Sequence, residues 1–270
     1  MAVYDDFYGV WPSVQSLLIH HADHVGEVLV IDNNPDSMQG KTTAEYCSLT
    51  SGLVRYIPYR ERQGTAAPRN EIFKQAKCEY AVCIDSHVLL LPNALKHLAF
   101  FIEHGPKNDL MQGPLIGDNC IGADTHFADV WQAGMWGVWE LDARYDAGEV
   151  AFEIPAQGLG LFAARCESWL KFNELFSGYG GEEWYIHEKY RKHGRACWCV
   201  SGLRWQHRFY RPTGVPYPHK CIDIMTNYFI GLSELGLSTD RMVEHYSRIM
   251  PSASIEEAKR RAAERQAACV

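Results

Sequence analysis

Short apolar segments alternate with helix-like segments along this chain, and that alternation limits the fold more than any other feature. Segments 27–31, 81–84 and 160–164 are apolar and are followed by polar residues, which is typical of buried strands. The spacing of apolar residues predicts a helix over 93–104 that ends at Gly105. Strands that alternate with helices favour a mainly parallel sheet covered on both faces. We therefore predict an α/β fold.

Three further segments carry predictions of local structure. Pro12 suits the first turn of a helix that runs to His21. A strand is predicted over 109–115. The stretch 117–150 is rich in Trp and Gly, and we expect irregular structure there of the kind that more often builds a site than a core.

The length of 270 residues predicts one large domain with a helical appendage, because single cores stop growing at roughly 250 to 300 residues. We place the domain at 1–215 and a helical C-terminal extension at 216–270, packing on the domain or trailing it. In that extension a charged helix is predicted over 255–266, with Ser254 and Glu257 as a capping box. Its charge pattern favours a solvated tail.

Charge and hydropathy narrow the classes of partner. The formal net charge of −7 argues against a broad nucleic-acid surface, although a local basic groove is compatible with it. No apolar run approaches the ~20 residues that cross a bilayer, and the first residues resemble no leader peptide. We therefore expect a cytoplasmic protein with no membrane partner, and the oligomeric state stays open.

The nine cysteines include no CxxC pair. An odd number without that spacing fits reduced thiols better than a disulfide framework or a zinc cage. The cysteines therefore agree with a cytosolic location and predict no cofactor of their own.

Asp85-Ser86-His87 follows the apolar strand 81–84. Strand alternation directs the Asp85 and His87 side chains to one side at the carboxyl edge of the sheet, where open α/β sheets bind ligands. A carboxylate with an imidazole suits a divalent ion such as Mn²⁺, which can bridge a diphosphate. The alternative is a capped strand end without a metal.

Two later segments also carry groups suited to chemistry. Gly180 and Gly181 allow a tight turn that exposes the carboxylates of Glu182 and Glu183, as a catalytic base requires. The alternative is that the two acids only stabilise a helix N-terminus. His207 lies among basic and aromatic residues after a strand, and taken alone it fits a packed histidine as well as a ligand.

The order of these segments resembles the nucleotide-sugar glycosyltransferases of the GT-A fold, over residues 2–211. Asp85-Ser86-His87, the glycine-rich segment 158–162, segment 179–183 and segment 207–209 are similar, in that order, to motifs of the polypeptide N-acetylgalactosaminyltransferases. The resemblance implies a Rossmann-like sheet flanked by helices. It also implies Mn²⁺ or Mg²⁺ as cofactor. The metal ligands it implies are Asp85, His87 and His207, and it places Gly160 at the donor and Glu182 against the donor sugar.

The same resemblance implies a nucleotide-binding region upstream of the metal motif. Asp32 resembles the acid that contacts the nucleotide, and Asn34 lies in the same turn. Segment 64–70 is similar to the stretch that leads into the helix before the metal motif, with Arg69 and Asn70 near the donor. We expect the donor to be a UDP-linked sugar, with Asp85 also contacting it through the metal.

Glu183 departs from the resemblance to the N-acetylgalactosaminyltransferases, which have Asn at this position. Inverting family 2 enzymes and β-1,4-galactosyltransferases have an acidic base there. We therefore expect inversion, with Glu183 deprotonating the acceptor hydroxyl. The alternatives are a retaining transferase in which Glu182 and the leaving phosphate manage the proton, an inactive module that binds a nucleotide or glycan, and a nucleotidyltransferase, for which no glycine-rich triphosphate loop is apparent.

A fainter resemblance, carried by segments 32–35, 134–137 and 181–189, is to compact phage and environmental glycosyltransferases. It implies a hydroxymethylated pyrimidine of DNA as acceptor, flipped out or single-stranded, in a bacterial or phage-infected cytosol. A glycan or protein hydroxyl is the other acceptor considered.

Several other aromatic and basic residues fit either a role in ligand binding or a structural role. Three tryptophans could stack on the acceptor or form a lid core, and three arginines could neutralise phosphates or balance surface charge. His187 and Glu188 are expected on the surface as pairing residues. We assign no chemistry to the three histidines near the end of the first helix. The tryptophans are Trp131, Trp136 and Trp139; the arginines are Arg204, Arg208 and Arg211; the histidines are His20, His21 and His24.

Overall fold

The computed structural model describes residues 1–50, 52–211 and 214–268. Helices alternate with strands in its first half, as predicted. The strands are β1 (Ala2–Val3), β2 (Val28–Asp32), β3 (Val54–Pro58), β4 (Tyr80–Ile84), β5 (Val88–Leu90), β6 (Leu110–Gln112), β7 (Leu115–Ile116), β8 (Ala123–Asp124), β9 (His126–Gln132), β10 (Met135–Glu140), β11 (Ala151–Glu153), β12 (Leu161–Arg165), β13 (Cys197–Val200) and β14 (Trp205–His207). The helices are α1 (Phe7–His20), α2 (Met38–Leu49), α3 (Ala66–Gln75), α4 (Ala94–His104), α5 (Ala143–Asp146), α6 (Glu182–Lys192), α7 (Cys221–Leu235), α8 (Asp240–Ser247) and α9 (Ser252–Ala267).

A mixed central sheet organises the molecule. Strands β1 to β3 pair in parallel in the order β1-β2-β3, and a bridge between Ala2 and Asp85 joins β1 to the end of β4. From β4 the sheet continues through β12, β6, β13 and β11. The predicted α/β class is confirmed. The sheet is more mixed than predicted, because β12 runs antiparallel between β4 and β6.

Both faces of this sheet are covered. Strand alternation sends Leu29 and Ile31 of β2 into one hydrophobic cluster, and Val28 and Val30 into a second cluster on the other face. The first cluster extends into α6, α7 and α9, and the second takes residues from α1 and α4. The strand ends are therefore held between two packed layers, with their polar turns at one edge.

The C-terminal helices pack on the remainder of the chain. Ile255, Ala258 and Ala262 of α9 are buried in the same cluster as the core of α6 and α7. The prediction of a solvated tail was therefore wrong, since an alanine stripe lets α9 lie close against α7. Helix α9 also begins at Ser252, so Ser254 lies inside it and the predicted capping box is not formed.

Pro12 lies inside α1, which begins at Phe7, and the prediction of a helix starting near Pro12 was wrong. Proline has no N–H to donate to the carbonyl of Tyr8 four residues earlier. Arg208 Nη1 donates to that carbonyl at 3.2 Å instead. The partner that makes this helix start acceptable is thus 200 residues away in the chain.

The stretch 117–150 is largely ordered as a hairpin of β9 and β10, which corrects the expectation of irregular structure. The ladder has a bulge between Trp136 and Val138, where Gly137 adopts a φ of 97°. A Cβ at Gly137 would meet the Phe127 ring at 2.3 Å, so the close contact of the two strands requires glycine. The predicted strand over 109–115 is likewise two strands, β6 and β7, in different sheets.

The lengths and compositions of the helices also bear on membrane insertion. Among the residues that the structure describes, no helix combines the length and the apolar character that a bilayer span requires.

Candidate functional site

The ends of β4 and β14 bring three metal-ligating side chains together. Asp85, His87 and His207 place one oxygen and two nitrogen atoms within 4.8 Å of one another. The two Nε2 atoms of the histidines are 2.9 Å apart, and His207 Nε2 is 3.8 Å from Asp85 Oδ2. Register fixes this meeting, because His207 of β14 pairs with Val88, the residue after His87. Mixed oxygen and imidazole donors suit a divalent ion such as Mn²⁺.

Asp6 contacts the ring nitrogen of His87 that does not contact His207. Asp6 was not predicted from the sequence as a site residue. His87 Nδ1 donates to Asp6 Oδ2 at 3.0 Å, which leaves Nε2 directed at His207. Asp6 also accepts from Ser86 Oγ at 2.8 Å. Burial lowers the pKa of His87 although Asp6 opposes it, so the imidazole is neutral and able to act as a ligand. A carboxylate in this position fixes the tautomer of a metal-binding histidine.

Asp6→Asn is expected to weaken Mn²⁺ binding by roughly 10- to 100-fold, because the amide no longer fixes the His87 tautomer. Calorimetric titration of the purified variant with Mn²⁺ measures this. Asp5→Asn is the matched control, since Asp5 Oδ2 accepts from Asn34 and does not contact His87 among the described contacts. Equal affinities of Asp6→Asn and the wild type would contradict the assigned role.

Arg69 of α3 joins the metal motif to the start of α6. The guanidinium is buried, with Nη2 at 2.8 Å from Asp85 Oδ1 and Nη1 at 3.0 Å from Glu182 Oε1. Thr65 Oγ1 also donates to Glu182. Burial by itself would raise the pKa of Asp85, but Arg69 and His207 outweigh it and hold that pKa well below its usual range. Asp85 is therefore ionised at every physiological pH.

Glu182 and Glu183 begin α6 after two glycines, and their side chains differ in surroundings. Gly180 and Gly181 have φ values of 87° and 91°, so the tight turn requires glycine. Glu182 is turned inward to Arg69, whereas Glu183 lines a cavity of about 530 Å³ together with Asp85 and His207. Burial and the charge of Glu182 raise the pKa of Glu183 to about 8. A carboxylate with such a pKa can accept a proton near neutral pH.

The structure places Asp32 and Asn34 away from this cavity. Asp32 is fully buried and accepts from the Asn34 backbone at 2.8 Å and from Tyr56 at 2.9 Å. Asn34 Nδ2 donates to Asp5 at 2.9 Å. A smaller cavity beside the metal motif is lined by Asn33 of the same turn, so the turn reaches the site through a different side chain.

The predicted donor residue Asn70 is also turned away. Its Oδ1 accepts from Trp169 Nε1 and the Phe172 backbone, and its Nδ2 donates to the Phe172 carbonyl. The amide is thus fully used in holding the loop after β12. Arg69, the preceding residue of the same helix, lines the site, whereas Asn70 points to the loop at Phe172.

Gly160 lies directly under the site. Its carbonyl accepts from the Asp85 backbone at 2.9 Å. A Cβ at this position would meet the Trp205 ring at 2.7 Å and His207 Cδ2 at 3.3 Å. Trp205 cannot easily yield, because it is buried and its Nε1 donates to the Gly113 carbonyl at 2.6 Å.

Gly160→Ala is accordingly expected to lower the free energy of unfolding by about 1 to 3 kcal/mol through overpacking and to weaken metal-dependent nucleotide binding by displacing His207. Thermal denaturation and UDP titration with Mn²⁺ measure the two effects. Gly52→Ala is the control, because a Cβ there meets open space. Wild-type behaviour of Gly160→Ala in both measurements would refute the packing argument.

His187 is buried, and the prediction of a surface residue was wrong. Its ring nitrogens are 2.5 Å from the Glu183 carbonyl and 2.6 Å from Gln112 Oε1. Residues four apart share a helix face, so His187 points inward with Glu183. Glu188 does pair at the surface, with Arg191 at 2.7 Å.

Comparison with known proteins identifies the chain. The model of glycosyl transferase family 2 matches residues 11–160, which is more than half of the sequence. The chain belongs to glycosyl transferase family 2. A search of curated proteins gave no match. As a member of this family, with a fold shared by solved glycosyltransferases, the chain carries a glycosyltransferase domain.

Solved glycosyltransferases share the fold. GalNAc-T7, solved with UDP, GalNAc and Mn²⁺, superposes with a TM-score of 0.69 at 19% identity, over 96% of this chain and 52% of its own. TarS of S. aureus, solved with UDP-GlcNAc, gives 0.56 at 16% identity, over 91% and 71%. The mannosyltransferase PcManGT of Pyrobaculum calidifontis, solved with GDP-Man and Mn²⁺, gives 0.55 at 13% identity, over 99% and 73%. This family 2 chain spans about half the length of GalNAc-T7.

Proposed function

We propose that the protein transfers a sugar from a UDP-linked donor to an acceptor hydroxyl with a divalent ion, Mn²⁺ or Mg²⁺, held by Asp85, His87 and His207. The meeting of these three side chains beside Glu183 is the observation that carries the proposal. The oxygen and nitrogen donors fit such an ion, and His207 Nδ1 is buried with no hydrogen-bond partner among the described residues. The bound ion supplies positive charge to the leaving diphosphate.

The arginines of the site complement that charge. Arg211 Nη2 lies 2.5 Å from His87 Nε2, so in this structure a cationic group already contacts the proposed ligand nitrogen. Arg211 lines both the small cavity and the larger one. We assign it to the donor phosphates, since a guanidinium fork matches phosphate oxygens. Arg69 instead keeps Asp85 ionised and in place.

Glu183 is proposed as the base, and the reaction as inverting. Glu183 lines the cavity, whereas Glu182 is 1% exposed and held by Arg69 and Thr65. Because Glu182 is oriented toward Arg69 and Thr65, it is poorly placed to accept the proton of the acceptor hydroxyl. We therefore propose inversion rather than retention. A cavity-facing carboxylate whose pKa is raised by burial and by the charge of Glu182 is more typical of an enzyme than of an inactive binding module.

The anomeric configuration of the product tests this assignment. Proton NMR of the first product formed should show inversion relative to the donor sugar. Retention of the anomeric configuration would contradict the role of Glu183 as the base.

The acceptor is proposed to bind in the cavity of about 530 Å³ that Glu183 lines, against the aromatic wall of that cavity. Trp136, Trp139 and Tyr210 line this wall, and such rings accept either a sugar or a base. A hydroxymethylated pyrimidine of phage DNA and a glycan or protein hydroxyl both stay predictions, as do the cytoplasmic location and the division at residues 215 and 216.

A further inference from the structure

The cavity of about 530 Å³ that contains Glu183 is here called the catalytic cavity. A separate cavity of about 600 Å³, here called the second cavity, borders the hairpin of β9 and β10. Trp136 lines this cavity and the catalytic one, so its indole is a wall shared by the two. Trp184, the residue after Glu183, also lines the second cavity. We propose that the second cavity binds a neutral sugar unit of a glycan acceptor. This inference rests on the proposed function, because it assigns the acceptor of the same site.

The aromatic lining supplies the apolar part of such a site. Trp131, Trp136 and Trp184 all border the cavity, and the rings of Trp136 and Trp184 are 6.1 Å apart at 50°. Indoles offer flat apolar surface with one polar N–H, which suits the C–H face of a pyranose ring. Trp131 is held on its other side by His245 and Tyr228, so little ordering is needed on binding.

The charged lining favours a neutral ligand over a phosphate-bearing one. Arg241 pairs with Asp129 at 2.8 Å and Arg191 pairs with Glu188 at 2.7 Å, and these four residues all border the cavity. Paired guanidinium and carboxylate groups present donors and acceptors side by side, as adjacent sugar hydroxyls require.

Two further charged side chains border the cavity, one basic and one acidic, so together they do not change the net charge of its lining. Arg144 pairs with Asp142 at 2.7 Å, and the exposed Glu153 adds a further carboxylate. Three acidic and three basic side chains thus border the cavity. A nucleic-acid strand instead needs cations that are free to bind its phosphates.

The position of the cavity relates it to the reaction. Glu183 and Trp184 are successive residues at the start of α6, and they border the catalytic cavity and the second cavity respectively. Because Trp136 borders both cavities, we place the next sugar unit of a glycan whose hydroxyl lies at Glu183 in the second cavity. The second sugar unit would be recognised there, which predicts a preference for oligosaccharide over monosaccharide acceptors.

A glycan array with neutral and charged oligosaccharides tests the proposal by binding alone. The wild-type protein should bind neutral oligosaccharides, with or without EDTA. Arg241→Ala and Trp184→Ala should each weaken that binding by about tenfold. Arg248→Ala is the matched control, since Arg248 directly follows α8, the helix that contains Arg241, also pairs with a carboxylate, and is 70% exposed against 67% for Arg241.

Three outcomes would overturn the proposal. They are no binding of any neutral glycan, wild-type binding by both cavity variants, or salt-sensitive competition by a single-stranded oligonucleotide containing 5-hydroxymethylcytosine. UDP titration with Mn²⁺ separately tests the proposed function. If the wild-type protein binds neutral glycans but not UDP, the transferase assignment is refuted and the proposed glycan site is still supported.

Discussion

Glu183→Gln is expected to lower the rate of sugar transfer by roughly 10²- to 10⁴-fold and to leave donor binding nearly unchanged. The amide has the size of the carboxylate but cannot accept the acceptor proton. Glu183 lines the cavity that also contains Asp85 and His207. Steady-state kinetics with the identified donor, together with calorimetric UDP binding, measure the two quantities.

Glu71→Gln is the control for this substitution, because Glu71 lies on α3, pairs with Lys74 at 3.1 Å and borders neither the catalytic cavity nor the second cavity. It should transfer sugar at the wild-type rate. Wild-type turnover by Glu183→Gln would exclude Glu183 as the base. Loss of UDP binding in that variant would instead indicate a structural role.

The raised pKa of Glu183 also predicts pH dependence. Below its pKa the carboxyl is protonated and cannot act as a base, so kcat should rise with pH up to about 8 and then level. Folding stability should change in the opposite sense. In the unfolded chain the pKa of this carboxyl is the ordinary 4.5, so the free energy of unfolding falls as pH rises from 4.5 to about 8. Glu183→Gln should remove both trends, and a flat kcat between these pH values would contradict the assignment.

Arg69→Met is expected to lower the free energy of unfolding by about 3 to 5 kcal/mol, because it leaves buried carboxylate charge without its partner. Arg69 contacts Asp85 and Glu182 at 2.8 and 3.0 Å, and Glu182 is 1% exposed. Urea denaturation measures the change. Arg69→Lys should recover only part of it, since the compact ammonium does not reproduce the planar fork whose two nitrogens each contact one carboxylate.

Two further variants make this prediction sharp. Arg60→Met breaks an exposed pair with Asp36 and should cost no more than about 1 kcal/mol. Combining Arg69→Met with Glu182→Gln should recover stability relative to Arg69→Met, because one uncompensated charge is removed. Additive losses in the double variant would show that Arg69 and Glu182 are not coupled.

Local pattern was sufficient to predict the strand ends. Asp85 and His87 follow an apolar strand, and the structure brings them together with His207, as the motif order implied. Alternation and the carboxyl edge of a sheet are properties of neighbouring residues, so they are visible in sequence. The roles of these residues as ligands stay a prediction.

Contacts between distant segments were not visible in the sequence. Asp6 reaches His87 across 81 residues, and Arg208 supports α1 across 200. The hairpin of β9 and β10 has no clear polar and apolar alternation in its sequence, and its tryptophans line two cavities. His187 was predicted to face away from the turn and pair at the surface, but it lies four residues after Glu183, shares that helix face and is buried.

Metal-dependent release of nucleoside diphosphate tests the central claim most directly. Purified protein is incubated with UDP- and GDP-sugars and Mn²⁺, with and without a chelator, beside the variant His87→Ala. The account predicts release of UDP from one donor, lost with the chelator and in the variant. No release from any donor, together with no metal-dependent nucleotide binding, would contradict the metal site and leave Asp85-Ser86-His87 as a capped strand end.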